Sequence, residues 1–176
     1  MGSSLERCDD DKVTYKVCFV CTGNICRSPM AEVVFWHKAA AQGLAERFAI
    51  DSAGTAAEVG SGIDRRARKA LEASGYRARQ HRARQFEPAW LDERDLVVVM
   101  ARGHQRWMER HAPRSEYRAG VRLLLSYVPG LARPGDSREI PDPWYGDERE
   151  FESCLDLITA GCESLLDELA GGLSAG

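Results

Sequence analysis

Val17-Cys18-Phe19-Val20-Cys21-Thr22-Gly23-Asn24-Ile25-Cys26-Arg27-Ser28-Pro29 is the stretch whose reading decides the fold. Tyr15 to Val20 is β-branched and aromatic, the composition of a buried strand. Cys21 ends that run, and a small polar loop containing Gly23 follows. Ser28 reads as a helix N-cap with Pro29 at the first helical position. A loop between strand and helix turns its backbone N–H groups inward, beside the positive end of the helix dipole, and so makes an anion-binding nest. A cysteine at the lip of such a nest is expected to ionise readily and act as a thiolate. Arg27 closes the other side with a planar fork of donors that matches phosphate oxygens. The spacing Cys21-x5-Arg27 lacks the lysine and second glycine of the nucleotide-binding Gly-x4-Gly-Lys-Ser/Thr loop, and places a thiol where the attacking group belongs. The strand before the loop, the capping pattern after it and Gly23 within it separate this match from a chance Cys-x5-Arg.

Composition narrows the partners. The chain has 176 residues, 44% hydrophobic and 29% charged, which suits one domain with a proper core. The formal net charge of -3 disfavours a nucleic-acid binder. No apolar run reaches membrane-spanning length, and no apolar segment of the secretory type follows the N-terminus. Six cysteines are spread over strand, loop and helix patterns, and the one Cys-x2-Cys spacing, Cys18 to Cys21, falls within the strand run with no second such pair, so neither a disulfide framework nor a zinc site is expected. A reducing cytoplasm, no membrane and no metal are the resulting expectations.

Outward from the loop, residues 1–14 are polar and acidic and read as a disordered extension, in which Cys8 has no expected role. Met30, Val33, Val34, His37, Ala41 and Leu44 space an amphipathic helix that ends near Gly43. Phe48 to Ser52 reads as the second strand. Asp64 caps a helix to about Ser74, with Gly75 past its end. The cations Arg65, Arg66, Arg68 and Lys69 on that helix read as a solvated face. Leu96 to Met100 is a strand buried on both faces. Gln105 to His111 is a helix ending before Pro113, and Val121 to Leu125 is a further strand. Leu131 to Glu139 is a loop that delivers Ile140-Pro141-Asp142-Pro143-Trp144-Tyr145, where two prolines restrain the backbone on either side of Asp142. A last helix runs from about Asp147 to Leu169, with Cys154 and Cys162 as packing residues, and 171–176 reads as a flexible tail. The alternation predicts an α/β fold: an open, mostly parallel, four-stranded twisted sheet with helices on both faces and the phosphate-binding loop after the first strand.

Cys21-Thr22-Gly23-Asn24-Ile25-Cys26-Arg27-Ser28-Pro29-Met30-Ala31-Glu32 resembles the signature of the low-molecular-weight protein tyrosine phosphatases. Asp51-Ser52-Ala53-Gly54-Thr55, His81-Arg82-Ala83-Arg84-Gln85-Phe86, Asp95-Leu96-Val97-Val98-Val99-Met100 and Pro141-Asp142-Pro143-Trp144-Tyr145-Gly146 continue the resemblance in the family's order, so that it spans residues 15–170 as one phosphatase domain. The resemblance implies hydrolysis of phosphotyrosine through a phosphocysteine on Cys21. Phosphate is expected to rest on Thr22, Gly23, Asn24, Ile25, Cys26, Arg27 and Ser28. Asp142 becomes the acid, and then the base, of the two steps. Ser28 is expected to assist Cys21 as a leaving group. Ser52 is expected to order the loop, and His81 to bond Asn24. Trp144 and Tyr145 would flank the substrate ring. Ile25 favours phosphotyrosine, because threonine there goes with protein-arginine phosphatases. Cys26 is the neighbour with which Cys21 would form a protective reversible disulfide. The expected partner is a phosphotyrosine-containing protein, with the chain a monomer or weak dimer and no cofactor.

Two stretches depart from the resembled pattern. Many bacterial members carry Trp-His shortly after the Gly-Thr, and one of these aromatics walls the cleft. This chain reads Ala56-Ala57-Glu58-Val59-Gly60. After the third strand the family often has Asp-x-x-Asn, and this chain has Ala101-Arg102-Gly103-His104, expected as a loop bordering the cleft. The competing readings are an arsenate reductase of the same fold, which needs further accessible cysteines, and a catalytically silent phosphotyrosine-binding module, which should have lost the cysteine or the acid. Cys21 and Asp142 are both present.

Overall fold

The computed structural model describes residues 14–112, 118–130 and 137–174. Apart from Thr14 the expected N-terminal extension lies outside the described residues, as do Pro113, residues 131–136 of the loop before Asp142 and the last two residues of the expected tail.

Four strands form one sheet: β1 (Tyr15–Cys21), β2 (Phe48–Gly54), β3 (Leu96–Val99) and β4 (Gly120–Leu123). Their order is β2-β1-β3-β4, and every pairing is parallel. Among the described residues five α-helices connect and cover them: α1 (Arg27–Ala41), α2 (Arg65–Ala73), α3 (Trp90–Glu93), α4 (Arg102–His111) and α5 (Glu148–Ser174). The order reverses between β1 and β3, and α/β sheets bind ligands at the carboxyl ends of strands beside such a switch. The loop after β1 is at that place.

The period-2 alternation of the strands divides the core into two layers. Val17, Phe19 and Cys21 pack with α1, α2 and α5 on one face, joined by Leu96 and Val98. Cys18, Val20, Val97 and Val99 face the opposite layer with Phe86, Leu91 and Met108. Burial on both faces explains why β1 and β3 are continuous apolar runs. An aromatic chain of Phe19, Phe35 and Phe48, with centroids 5.6 and 5.3 Å apart, ties α1 to the sheet.

Several boundaries differ from the expected ones. β2 runs two residues past Ser52, because Ala53 and Gly54 continue the register against Val20 and Cys21. α1 starts at Arg27 with Cys26 as the residue before it, so Ser28 is not its N-cap and Pro29 is its third residue. Proline is tolerated there, since first-turn amides have no intrahelical acceptor. The Ser28 hydroxyl is engaged elsewhere, as described below. α1 ends at Ala41, and Leu44 lies beyond it. The helix also buries Phe35 and Ala39 rather than the narrow expected stripe, because sheet, α2 and α5 all pack on it. α4 begins at Arg102, so the expected loop is helical from its second residue. α5 continues to Ser174, so the first residues of the expected tail are helical. Asp64 does cap α2, accepting from the Arg66 and Ala67 amides at 2.8 and 3.4 Å, and Gly75 follows with φ of +80°. No helix among the described residues is long and apolar enough to cross a membrane.

Candidate active site

The loop between β1 and α1 is held from outside by its carbonyls. Cys21 O accepts from Thr55 N–H at 2.9 Å, Thr22 O from Ala56 N–H at 3.0 Å and Gly23 O from Glu58 N–H at 3.0 Å. Asn24 O is bonded to His81 Nε2 at 2.7 Å, and Ile25 O accepts from Asp64 N–H at 2.8 Å. With five successive carbonyls tied outward, the amides of the loop are left for the cleft, which is what a nest for an anion requires. Gly54 makes the close approach possible, since a methyl group there would collide with the Thr22 carbonyl.

Asn24 is the residue on which the loop turns. It has φ of +56°, the single non-glycine residue with positive φ among the described ones. Asparagine tolerates this left-handed conformation better than most side chains. Its amide nitrogen donates to Ser28 Oγ and Ser52 Oγ, both at 2.9 Å, and its Oδ1 accepts from Arg84 N–H at 2.9 Å. Ser52 Oγ in turn donates to Glu32 Oε2 at 2.5 Å. Burial pushes the Glu32 carboxyl above the usual range, partly offset by the Ser52 hydrogen bond. Arg84 also donates through Nε to Ser52 O at 2.9 Å and pairs with Asp51. Neither Glu32 nor Arg84 was singled out in the sequence, although both lie inside the stretches that carry the resemblance.

Cys21 Sγ lies 3.0 Å from Ser28 Oγ, which also reaches Ala53 O at 3.2 Å. Across the cleft, Arg27 donates through Nη1 to Ile140 O at 3.2 Å, and its Nη2 is paired with Asp142 Oδ2. Asp142 Oδ1 accepts from the Trp144 amide at 3.2 Å, which orients the carboxyl. The cleft measures about 250 Å³ and is lined by Cys21, Thr22, Gly23, Ile25, Cys26, Arg27, Ala56, Glu58, Asp142, Trp144 and Tyr145. The structure therefore brings Cys21, Arg27, Asp142 and the two aromatics to one cavity. Ser28, Asn24, Ser52 and His81 form the layer beneath. Burial raises the Cys26 thiol well above its ordinary range. It does the same to Cys154, pushed up to about 12, and to Cys162, both packed in α5 as expected.

Two residues at the site went unassigned in the sequence. Arg66, expected on a solvated face, is half-buried and holds the Asp142 loop instead. Its Nη1 donates to Trp144 O and Gly146 O, each at 3.1 Å, and its guanidinium lies over the rings of Trp144 and Phe151. Asp64 bonds Arg66 Nε at 3.3 Å while its own amide donates to Ile25 O. One helix start thus connects the phosphate-binding loop to the loop of Asp142. The signal was the Asp64-x-Arg66 spacing at a cap.

His104 is the second. It is 5% exposed, accepts from Ala101 N–H through Nδ1 at 3.1 Å and bonds Thr22 Oγ1 through Nε2 at 3.1 Å. Nδ1 as acceptor makes Nε2 the protonated nitrogen of the neutral ring, so Nε2–H donates to Thr22. Burial first, and the Arg27 charge second, push its pKa down to about 4. An unfolded histidine titrates near ~6.5. Because the folded value is the lower one, the unfolded chain binds the extra proton between the two. His104 therefore costs nothing above ~6.5, and stability falls as pH drops from there towards 4, by roughly 3 kcal/mol in full. Thermal unfolding from pH 7 to 4 is expected to fall more steeply for the wild type than for His104→Asn. Equal slopes would show that His104 does not carry this acid sensitivity.

Known proteins match this arrangement over nearly the whole chain. The family model described as low molecular weight phosphotyrosine protein phosphatase matches residues 16–174. A low molecular weight protein-tyrosine-phosphatase of Streptomyces coelicolor is 46% identical over 155 residues, covering 88% of this chain and 93% of that protein. The crystal structure of a protein tyrosine phosphatase from Entamoeba histolytica, with Hepes in its active site, superposes with a TM-score of 0.81 at 29% identity, covering 90% of this chain and 99% of that one. An arginine phosphatase, solved as a cysteine-to-serine mutant with a phosphorylated active-site serine, reaches 0.76 at 29% identity, covering 88% and 95%. This chain belongs to the low molecular weight phosphotyrosine protein phosphatase family.

Proposed function

We propose that the protein hydrolyses phosphotyrosine in protein substrates through a phosphocysteine on Cys21. The observation that carries this reading is the loop of outward-tied carbonyls with the Cys21 thiol at its start and the Arg27–Asp142 pair across the same cleft. A phosphate dianion settles on the amides from Thr22 to Ser28, and the Arg27 fork turns from Asp142 to the phosphoryl oxygens. Donors aimed at the equatorial oxygens supply the largest electrostatic contribution. Cys21 attacks phosphorus in line, the bond to the tyrosyl oxygen breaks, and Asp142 gives that oxygen its proton. Asp142 then takes a proton from water, whose oxygen attacks the phosphocysteine and releases inorganic phosphate. The Ser28 hydroxyl, 3.0 Å from Sγ, donates to the departing thiolate in this second step.

The side chains of Asn24, Ser52 and His81 act through the loop's shape and do not touch substrate. Trp144 and Tyr145, 38% and 97% exposed at the mouth, flank the tyrosyl ring. Ile25 gives an aliphatic wall that suits an aromatic ring better than a guanidinium. Cys26 shares the cleft, and serves as the resolving thiol. After a peroxide oxidises Cys21 to the sulfenic acid, Cys26 displaces water and a disulfide closes. Thiol exchange of the arsenate reductase kind needs accessible later cysteines, and Cys154 and Cys162 are buried, 3% and 0% exposed. We infer a cytoplasmic protein, monomeric or a weak dimer.

The test compares peptides of one sequence that carry phosphotyrosine, phosphoserine or phosphoarginine. Turnover is expected to be fastest with phosphotyrosine by at least tenfold in kcat/KM. Preference for phosphoarginine would transfer the chain to the arginine-specific branch.

A further inference from the structure

The cleft carries one charged group that the reaction above does not use. Glu58 lines it together with Asp142, within the stretch where the chain departs from the resembled pattern. Its position is fixed by the backbone. Glu58 N–H donates to Gly23 O at 3.0 Å, and Glu58 O accepts from Ser61 N–H at 3.0 Å. The neighbouring Ala57 amide is bonded to Gln85 Oε1 at 3.0 Å, so the turn is tied down on both sides of the carboxylate. Oε1 lies 3.9 Å from the point where a Cβ on Gly23 would stand, which places it over the rim of the phosphate-binding loop. Arg27 is paired with Asp142, and no ion pair engages Glu58 among the described residues.

Resting on the phosphotyrosine reading, we propose that Glu58 is a specificity-determining residue that selects phosphotyrosine flanked by lysine or arginine. A phosphorylated residue brings a dianion to the loop, and Glu58 at the rim repels it. A cation on an adjacent substrate residue offsets this repulsion, and a carboxylate there adds to it. Lysine and arginine carry their charge at the end of long flexible stems, which suits a contact with a carboxylate at the rim. The mouth is open to solvent, so each charge contact changes the rate by a few-fold rather than by orders of magnitude. Trp144 and Tyr145, which line the same cleft, have no charge, and Asp142 is engaged by Arg27, which leaves this discrimination to Glu58.

The experiment uses three phosphotyrosine peptides that differ only in the two residues on either side of the phosphotyrosine: lysine, alanine or glutamate. Each kcat/KM is divided by that for para-nitrophenyl phosphate with the same variant, so changes common to all substrates cancel. For the wild type the lysine peptide is expected to exceed the glutamate peptide by about fivefold to twentyfold at low salt, with the ratio shrinking in 0.5 M salt, where the Debye length falls to ~4 Å. Glu58→Gln is expected to bring that ratio within about twofold of one, and Glu58→Lys to invert it. A ratio unchanged in Glu58→Gln would overturn the assignment. If the wild type turns over para-nitrophenyl phosphate but none of the phosphotyrosine peptides, the phosphotyrosine reading itself fails and takes this proposal with it. If Glu58→Gln selectively weakens a phosphoarginine peptide and leaves the phosphotyrosine ratios as they were, the carboxylate recognises the phosphorylated residue itself, and the proposal is wrong.

Discussion

Cys21→Ser is expected to reduce turnover of para-nitrophenyl phosphate below about a ten-thousandth of wild type while leaving inorganic phosphate bound. The two halves of this result have different physical sources. Anion binding rests on the loop amides and on Arg27, and their positions depend on the outward bonds of Thr22, Gly23, Asn24 and Ile25 carbonyls, none of which involves Sγ. Attack on phosphorus rests on the sulfur, because a serine hydroxyl here has no general base to activate it. The side chain within hydrogen-bond reach of Sγ is Ser28, with Oγ at 3.0 Å, and that hydroxyl is shared with Asn24 and Ala53. Phosphate affinity, read as protection against thermal unfolding, separates a lost nucleophile from a collapsed loop. A variant that no longer binds phosphate would mean that the thiol also holds the loop in shape.

Asp142→Ala is expected to lower kcat/KM, which reports the steps up to the phosphocysteine, by roughly a hundredfold to ten-thousandfold on a substrate with a poor leaving group, and much less on para-nitrophenyl phosphate. A good leaving group needs little protonation, so the dependence on leaving-group basicity is the signature of a lost acid. Asp142 is also the ion-pair partner of Arg27, with its other oxygen held by the Trp144 amide. Removing the carboxyl frees the fork for phosphate, so inhibition by inorganic phosphate should not weaken. If both substrates slowed equally and phosphate inhibition weakened with them, Asp142 would be positioning Arg27 rather than moving a proton.

Much of this site is local in the sequence, and was legible for that reason. Cys21 to Arg27 is a continuous strand-loop-helix unit, and the Asp64 cap and Gly75 are set by neighbours within a few residues. Ser52 and His81 were reached through the resemblance, since their partner Asn24 lies 28 and 57 residues away. Ser28 misled because a serine before a proline satisfies the capping pattern equally well, while the actual partners of its hydroxyl come from Asn24, Cys21 and a second strand. His104 was illegible for a related reason. Its contact to Thr22 spans 82 residues, and a lone histidine after a strand carries no periodic or spacing signal. It also starts α4 by accepting from Ala101 N–H, so a helix begins at an alanine that has no capping side chain of its own. Arg66 sat in a run of cations, and only the fold brings the carbonyls of Trp144 and Gly146 to it.

The most direct test of the central claim is to find the phosphate on the enzyme. Wild-type protein mixed with para-nitrophenyl phosphate, quenched within milliseconds and digested, is expected to carry one phosphoryl group on the peptide containing Cys21, mapped to its sulfur rather than to Cys26 or Ser28. Steady turnover with no covalent phosphate at any quench time, or phosphate found on another residue, would contradict the account.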